Sequence, residues 1–183
     1  MIELPDIPSL SVDWKKCLPN IIKFIERRNL TFQNIIQEGI YLFQNNETGI
    51  PFFIIFIFHE KMGIEHLKIF LALAEETIVR KIIIIYQNTI TTNCSKVIEN
   101  LFQYEIDLFK LENFFYDITH MHYYVPHLRI TCEKEYKNLL EKYGNHLPIL
   151  LKSDPIVKYY GFKRNDIIKV VRSPHEFIYR IVR

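Results

Sequence analysis

Histidine and cysteine side chains cluster between residues 120 and 132, where His120, His122, His127 and Cys132 supply the nitrogen and sulfur ligands that zinc prefers. If the segment is a β-strand, His120 and His122 point to one face, because strand side chains alternate. Their spacing matches no known closed zinc site. We therefore interpret them as structural or interface histidines and predict no metal.

Nucleophilic and phosphate-binding chemistry is also poorly supported. Nothing near Cys94 supplies a base or the glycine-rich turn that a nucleophile requires. The five glycines form neither Gly-x-Gly-x-x-Gly nor Gly-Lys-Ser/Thr, so no phosphate-binding loop or cofactor is expected. The three cysteines are scattered and never in a Cys-x-x-Cys arrangement, which favours a reducing compartment.

A metal-dependent nuclease would need a carboxylate pair and a lysine, typically Asp or Glu, one residue, then Lys on a central strand. No strand-like segment of the chain carries that spacing. A degenerate nuclease-fold protein remains as an alternative.

Composition and charge suit a globular protein rather than a disordered one. The chain has 183 residues, 49% of them hydrophobic, and a formal net charge of +2. The N-terminus has no signal-peptide pattern, and the longest apolar run, residues 51–58, is far shorter than the ~20 residues of a membrane span. We therefore expect no membrane partner. Residues 144–183 are basic and rich in aromatic side chains, which keeps a free-standing nucleic-acid-binding module as another alternative.

The first 115 or so residues predict an α/β domain. Apolar side chains at helical spacing alternate with short, continuous apolar runs, as in a sheet with helices on both faces. The predicted helices are 14–28, capped by Asp13, 32–43, capped by Thr31, 64–80 and 91–103, and the predicted strands are 51–58, 82–86 and 105–111.

The rest of the chain predicts a small α+β domain. A helix should end at Gly144, and a shorter one has Asp154 as N-cap, Pro155 at its first position and Gly161 as its end. Residues 166–172 and 177–182 predict an antiparallel hairpin. About 65 residues bury little apolar surface, so we expect this domain to dock onto a larger protein.

The run from Asp154 to Arg172, DPIVKYYGFKRNDIIKVVR, resembles the signature of the fifth subunit shared by eukaryotic DNA-dependent RNA polymerases, which has a shorter archaeal counterpart. In members of that family the signature begins with Asp-Pro and a short helix that ends in Gly. Lys-Arg-Gly follows, and then an apolar pair, Lys, two apolar residues and Arg. Three further elements agree in order: Tyr86-Gln87-Asn88-x-Ile90-Thr91, Thr119-His120 and Val125-Pro126-His127. The likeness runs from about residue 50 to the C-terminus.

The resemblance implies a non-catalytic structural subunit without a cofactor or small-molecule substrate. Residues 1–116 would form a restriction-endonuclease-like jaw beside the downstream double-stranded DNA, and residues 117–183 an α+β assembly domain similar to the archaeal counterpart. The implied partners of the assembly domain are the largest polymerase subunit and the counterpart of the small sixth subunit. The Tyr-Gln-Asn element implies the two-domain eukaryotic or viral type. The divergent, AT-biased composition favours a large DNA virus, hence the virion and host cytoplasm, whereas a cellular protein would be nuclear.

The same resemblance implies which residues form the sites. Those expected at the subunit interface are Thr119, His120, Pro126, His127, Asp154, Pro155, Tyr160, Gly161, Lys163, Arg164, Lys169, Arg172, Tyr179 and Arg180. Those expected near DNA phosphates are Thr89, Thr91, Asn93 and Lys96.

The sequence departs from the family pattern in three features. The Gly after Lys-Arg is Asn165, which tolerates positive φ better than other non-glycine residues. The loop at residues 173–176 is shorter than in the family, and a leucine replaces an arginine near Leu147-Pro148. Contacts made by those residues in the family do not transfer to this chain.

Overall fold

The computed structural model describes residues 12–58 and 61–183 and divides the chain into two compact units, residues 1–116 and 117–183. Residues 1–11 of the predicted N-terminal domain lie outside the described residues.

The N-terminal unit is a five-stranded mixed sheet with helices on both faces. Its elements are α1 Val12–Arg27, β1 Leu30–Gln37, β2 Ile40–Asn45, β3 Pro51–Ile57, α2 Ile64–Glu76, β4 Lys81–Tyr86, α3 Thr92–Glu99 and β5 Glu105–Lys110. The strands lie in chain order, β1 to β3 antiparallel and β3 to β5 parallel. This mixed α/β architecture agrees with the predicted fold class.

The central strands are apolar on both faces because each face is covered by helix. Phe53 and Ile55 of β3 pack with the α2 residues Leu67 and Phe70. The alternate side chains face the other way, where the Phe56 ring centroid lies 5.6 Å from that of Trp14 in α1. Residues 51–58 and 82–86 were therefore correctly predicted as buried strands.

The predicted helix at residues 32–43 is wrong, since this segment forms the β1–β2 hairpin. Apolar residues three and four positions apart are also compatible with two short strands, so this spacing does not distinguish a helix from a hairpin. Pairing of β2 with β3 supplies backbone hydrogen bonds that favour the strands. Gly39 makes the turn at φ +78°, where a Cβ would lie 2.9 Å from the Phe56 carbonyl oxygen. Thr31 is not a cap, and its hydroxyl donates to Asn46 Oδ1 at 2.7 Å. Asp13 lies inside α1 rather than before it.

The C-terminal unit is built on a four-stranded sheet of order β6-β8-β9-β7. Its elements are a 3₁₀ turn at Ile118–His120, β6 His127–Arg129, α4 Glu133–Tyr143, β7 Ile149–Leu150, α5 Pro155–Tyr160, β8 Ile167–Ser173 and β9 Glu176–Val182. The strands β8 and β9 form the predicted antiparallel hairpin.

Each face of this second sheet has a small core of its own. Ile168 and Val170 pack with Val157 of α5 on what we call the α5 face. Ile167 and Ile181 pack with Leu139 of α4 on what we call the α4 face. No helix in the described parts of either unit is long and apolar enough to cross a membrane.

Both ends of α5 have the predicted chemistry. Asp154 accepts a hydrogen bond at Oδ1 from the Ile156 backbone N–H at 2.8 Å, and Pro155 occupies the first turn. Gly161 ends the helix in the left-handed conformation at φ 67°. The glycine predicted to end α4, Gly144, also has positive φ, 51°.

Candidate functional site

The segment Asp154–Arg172 folds as one continuous structure, consisting of α5, an exposed turn and β8. In the turn, the Lys163 backbone N–H donates to Asp166 Oδ2 at 2.7 Å. Asn165 follows at φ 73°, the positive value expected for the residue that replaces a glycine. Its carbonyl oxygen accepts from the Tyr136 hydroxyl at 3.2 Å. The turn is therefore held by its own residues and by α4.

Lys163 and Arg164 project from this turn with exposed side chains. The turn lies at the end of β9, because the Asn165 N–H donates to the Val182 carbonyl at 2.9 Å. Asn165 Oδ1 also accepts from Arg183 Nη1 at 2.8 Å. These contacts present two predicted interface cations on a fixed backbone.

A second group of predicted residues lies on the α5 face. The Tyr160 and Tyr124 hydroxyls are 2.9 Å apart, and the His127 ring centroid lies 6.3 Å from that of Tyr124. Arg180 lies opposite Ile168 in the hairpin, and its Nη1 donates to the Ile149 carbonyl at 3.2 Å. Tyr124 was not among the predicted residues, although its position between two motif elements that resemble the family was a usable signal.

Burial disfavours the protonated form of the His127 imidazole. Desolvation lowers its pKa, and the Arg180 charge acts in the same direction. The Nδ1 contact with the Val125 carbonyl at 2.6 Å and the negative charge of Asp154 oppose the shift without reversing it. A half-buried ring in contact with a backbone carbonyl suits a structural or interface histidine.

Lys169 and Tyr179 lie elsewhere, since they pair across β8 and β9 on the α4 face. The Lys169 ammonium lies 4.1 Å from the centroid of the Phe177 ring. Burial raises the pKa of the Tyr179 hydroxyl, and the nearby carboxylate of Glu135 adds to this. The predicted interface residues therefore occupy both faces of the sheet rather than one surface.

Arg172 lies near the tip of the hairpin, where its Nη1 is 3.5 Å from Glu176 Oε1. Both side chains are more than half exposed, so this ion pair adds little to stability. Most of the Arg172 side chain is accessible at the tip.

Thr119 and His120 form a local structure around Asp117. The Asp117 carboxylate accepts from the Thr119 N–H and hydroxyl at 3.0 and 2.7 Å and lies 2.9 Å from His120 Nδ1. This segment is a 3₁₀ turn, so the expectation that His120 and His122 share a strand face is wrong. Among the described residues no group of three histidine, cysteine or acidic side chains is arranged to bind a metal. Pro126 is exposed, and its carbonyl accepts from Val171 N at 2.9 Å.

The four residues expected near DNA lie around the carboxyl end of β4. The Thr89 carbonyl accepts from Met62 N at 3.0 Å, and Thr91 caps α3 by accepting at Oγ1 from Cys94 N at 3.3 Å. Asn93 and Lys96 are exposed. Both threonines therefore hold the loop as well as lining its surface.

An open hollow of about 470 Å³ lies at this edge of the sheet, lined by Lys61, Thr89, Ile90, Thr91, Thr92 and Asn93. Lys61 was not among the residues predicted from the sequence. Its signal was its position after β3, because the carboxyl ends of neighbouring parallel strands meet at one edge. The preceding motif residue, Gln87, ties this edge to α1 by accepting at Oε1 from Trp14 Nε1 at 2.8 Å.

Two segments do carry the nuclease-like spacing of an acid, one residue and a lysine. They are Asp13-Trp14-Lys15 and Glu135-Tyr136-Lys137, and they lie in α1 and α4 rather than on a central strand. On β5, Asp107 accepts from Arg28 at 2.7 Å and Glu105 pairs with Lys81 at 3.3 Å. The strand carboxylates are therefore engaged by cations.

Comparison with known proteins matches the C-terminal unit to one family. Residues 116–182 match the family model described as RNA polymerase Rpb5, C-terminal domain. The chain is 33% identical over 101 residues to DNA-directed RNA polymerase V subunit 5A of Arabidopsis thaliana, covering 54% of this chain and 44% of that protein. Subunit 5B of polymerases IV and V from the same plant is 32% identical over 92 residues, 49% of this chain and 41% of that protein.

A longer match is more distant. The subunit rpabc1 of DNA-directed RNA polymerases I, II, and III from Dictyostelium discoideum is 24% identical over 155 residues, covering 81% of this chain and 74% of that protein. The matched region spans less than half the length of the two plant relatives. These similarities confirm the resemblance to the fifth polymerase subunit.

Proposed function

We propose that this chain is the fifth subunit of a multisubunit DNA-directed RNA polymerase and that its role is structural rather than catalytic. The observation that carries the proposal is the Asp154–Arg172 segment. It matches the family signature except at Asn165, which replaces a glycine, and folds as one capped, partly exposed structure within the unit that matches the family's C-terminal domain.

The C-terminal unit is the part that docks on the largest subunit. Supporting this, Lys163 and Arg164 are exposed on a rigid turn, and Arg172 is accessible at the hairpin tip. A guanidinium pairs bidentately with a carboxylate, so arginine suits a protein interface better than lysine does. The α5 face, with Tyr160 and His127, is a separate contact surface for the largest subunit or the small sixth subunit.

The N-terminal unit is the jaw beside downstream DNA. The hollow at the carboxyl edge of its sheet offers Lys61 and, on the adjoining helix, Lys96 as exposed cations. Cations of this kind contact phosphates without reading sequence.

A free-standing module for single-stranded nucleic acid is less well supported. The rings of Phe177 and Tyr179 meet at 76°, so they do not offer parallel faces for successive bases. The Lys169 ammonium already occupies one face of Phe177. The aromatic and basic residues of this hairpin therefore contact each other rather than forming a stacking platform.

The test is co-purification of the polymerase with a tagged copy of the chain. The wild type should recover the largest subunit in equal amount, whereas Arg164→Glu combined with Arg172→Gln should lower recovery at least tenfold. Replacing Arg172 by Gln rather than Glu avoids placing two carboxylates together at the hairpin tip, where Glu176 lies.

The matched control is Lys134→Glu combined with Lys152→Gln, which changes the net charge equally at exposed positions outside the turn and hairpin. This variant should recover the polymerase as the wild type does. Equal recovery with both variants, at unchanged melting temperatures, would refute the proposed docking surface. Failure of the wild type to recover any polymerase subunit would refute the function itself.

A further inference from the structure

Two large apolar side chains of the N-terminal unit point into solvent at the amino end of its parallel strands. Ile78 is 76% exposed and Phe102 is 92% exposed. They lie three residues before β4 and β5, which are neighbours in register with Lys81 opposite Glu105. The two loops that carry them therefore run side by side. They lie at the opposite ends of the parallel strands from the hollow that Lys61 lines.

Direct contacts fix these two loops to each other. The Tyr104 hydroxyl donates to Glu75 Oε1 at 3.3 Å, and the Arg80 guanidinium lies 5.1 Å from the centroid of the Tyr104 ring. The Glu105 backbone N–H donates to the Arg80 carbonyl at 2.8 Å. Ile78 and Phe102 therefore project from two loops that are tied to each other, and we call this pair of side chains the Ile78–Phe102 patch.

Neither side chain is part of the hydrophobic core. Ile78 has φ 57°, a left-handed conformation that is strained for a β-branched residue and that asparagine or glycine adopts more readily. The following residue, Val79, supplies the core contact, since it is fully buried. A strained and exposed isoleucine beside an exposed phenylalanine indicates a role in contact with another molecule.

The rim of the patch is acidic. Glu76 and Glu99, at the ends of α2 and α3, are exposed. Four nearby carboxylates, Glu75, Glu76, Glu99 and Glu105, outnumber the two nearby cations, of which Arg80 lies over the Tyr104 ring and Lys81 pairs with Glu105 at 3.3 Å. The rim therefore repels nucleic-acid phosphates and complements positive charge.

We propose that the Ile78–Phe102 patch is a docking point for a protein segment that carries an apolar or aromatic anchor flanked by Lys or Arg. The anchor packs against Phe102 and Ile78, and the flanking cations face Glu76 and Glu99. Aromatic and aliphatic anchors with a charged rim are the usual composition of a small protein interface. This proposal does not depend on the polymerase function, because it uses only contacts within the N-terminal unit.

The test uses the full chain and a display library of random 12-residue peptides, with binders to the Ile78→Asn plus Phe102→Ser variant removed beforehand. The enriched peptides should contain an apolar anchor beside Lys or Arg. Each of the two single substitutions should weaken their binding at least tenfold, as measured by fluorescence anisotropy. Ile78→Asn should keep or raise the melting temperature, because asparagine accepts positive φ, so the loss of binding does not arise from unfolding.

The control variant is Ile69→Gln, which removes a 51% exposed isoleucine from α2 outside the patch and should leave peptide binding unchanged. Enrichment of acidic peptides, or of no peptide that distinguishes wild type from variant, would overturn the proposal. Light scattering provides the remaining check. Self-association of the wild type that is lost on Phe102→Ser would mean that a second copy of this chain, rather than a basic partner segment, covers the patch.

Discussion

Arg28 is the one charged side chain that is buried among the described residues, with 9% of its surface exposed. Its Nη1 donates to Asp107 Oδ2 at 2.7 Å, and its guanidinium lies 4.8 Å from the Phe24 ring centroid and 5.6 Å from that of Phe109. The pair joins the end of α1 to β5. A buried cation is tolerated here because a carboxylate and two ring faces replace its water.

Replacing Asp107 by Ala should lower the free energy of unfolding by about 3 kcal/mol, because it leaves the Arg28 charge buried without its carboxylate. Urea unfolding followed by circular dichroism measures this change. The double variant Arg28→Met with Asp107→Leu should be more stable than Asp107→Ala, and the opposite order would contradict the explanation. As a control, Lys68→Ala breaks an exposed pair with Glu65 and should cost less than about 1 kcal/mol.

The β1–β2 hairpin is the element that the sequence alone predicts wrongly, and Gly39 is the residue that fixes it. The Gly39 carbonyl accepts from Phe56 N at 2.8 Å, so β3 approaches the turn closely. Both the positive φ of Gly39 and the 2.9 Å approach of the Phe56 carbonyl exclude a side chain there. A helix across this segment would lose these contacts.

Gly39→Ala should therefore destabilise the N-terminal unit more than Gly49→Ala does. Both glycines have positive φ, 78° and 69°, and share the cost of placing alanine in that conformation, about 1–2 kcal/mol. At Gly49 a Cβ would meet only a glutamine side-chain atom at 3.8 Å, so Gly39→Ala carries an additional clash of about 1 kcal/mol or more. Thermal unfolding of the two variants measures the difference, and equal melting temperatures would disprove the clash.

At the scale of the whole molecule, each unit has its own sheet and its own core. The charge follows this division in part, since the last forty residues hold 8 Lys and Arg against 3 Asp and Glu. Nearly all of this basic part lies within residues 116–182, which match the model of the Rpb5 C-terminal domain. Whether the protein resides in a virion or a nucleus stays a prediction.

Purified protein should not cleave duplex DNA when Mg²⁺ is added, and Mg²⁺ should not raise its melting temperature. The physical reason is that the β5 carboxylates are paired with Arg28 and Lys81, while the acid-x-lysine segments lie on helices. A gel assay with plasmid DNA and a thermal scan test the two statements. Mg²⁺-dependent cleavage abolished by Asp107→Asn would favour the nuclease-fold alternative instead.

Part of the candidate site was predictable because its signals are local. Asp154, Pro155 and Gly161 specify α5 through hydrogen bonds and backbone preferences that act within a few residues. Asn165 likewise adopts the positive φ expected at its turn. The partition of the interface residues was not predictable, because it depends on which strand residues pair. Lys169 opposite Tyr179 lies on one face and Arg180 opposite Ile168 on the other.

The sequence by itself determined the mixed α/β class, the central strands, the capped α5 helix and the resemblance to the fifth polymerase subunit, since each follows from residue types at short spacing. Only the tertiary structure decided that residues 32–43 form a hairpin and that the loops carrying Ile78 and Phe102 lie side by side. The reason is that strand pairing joins residues far apart in the chain. Periodicity within one segment carries no information about which partner supplies its hydrogen bonds.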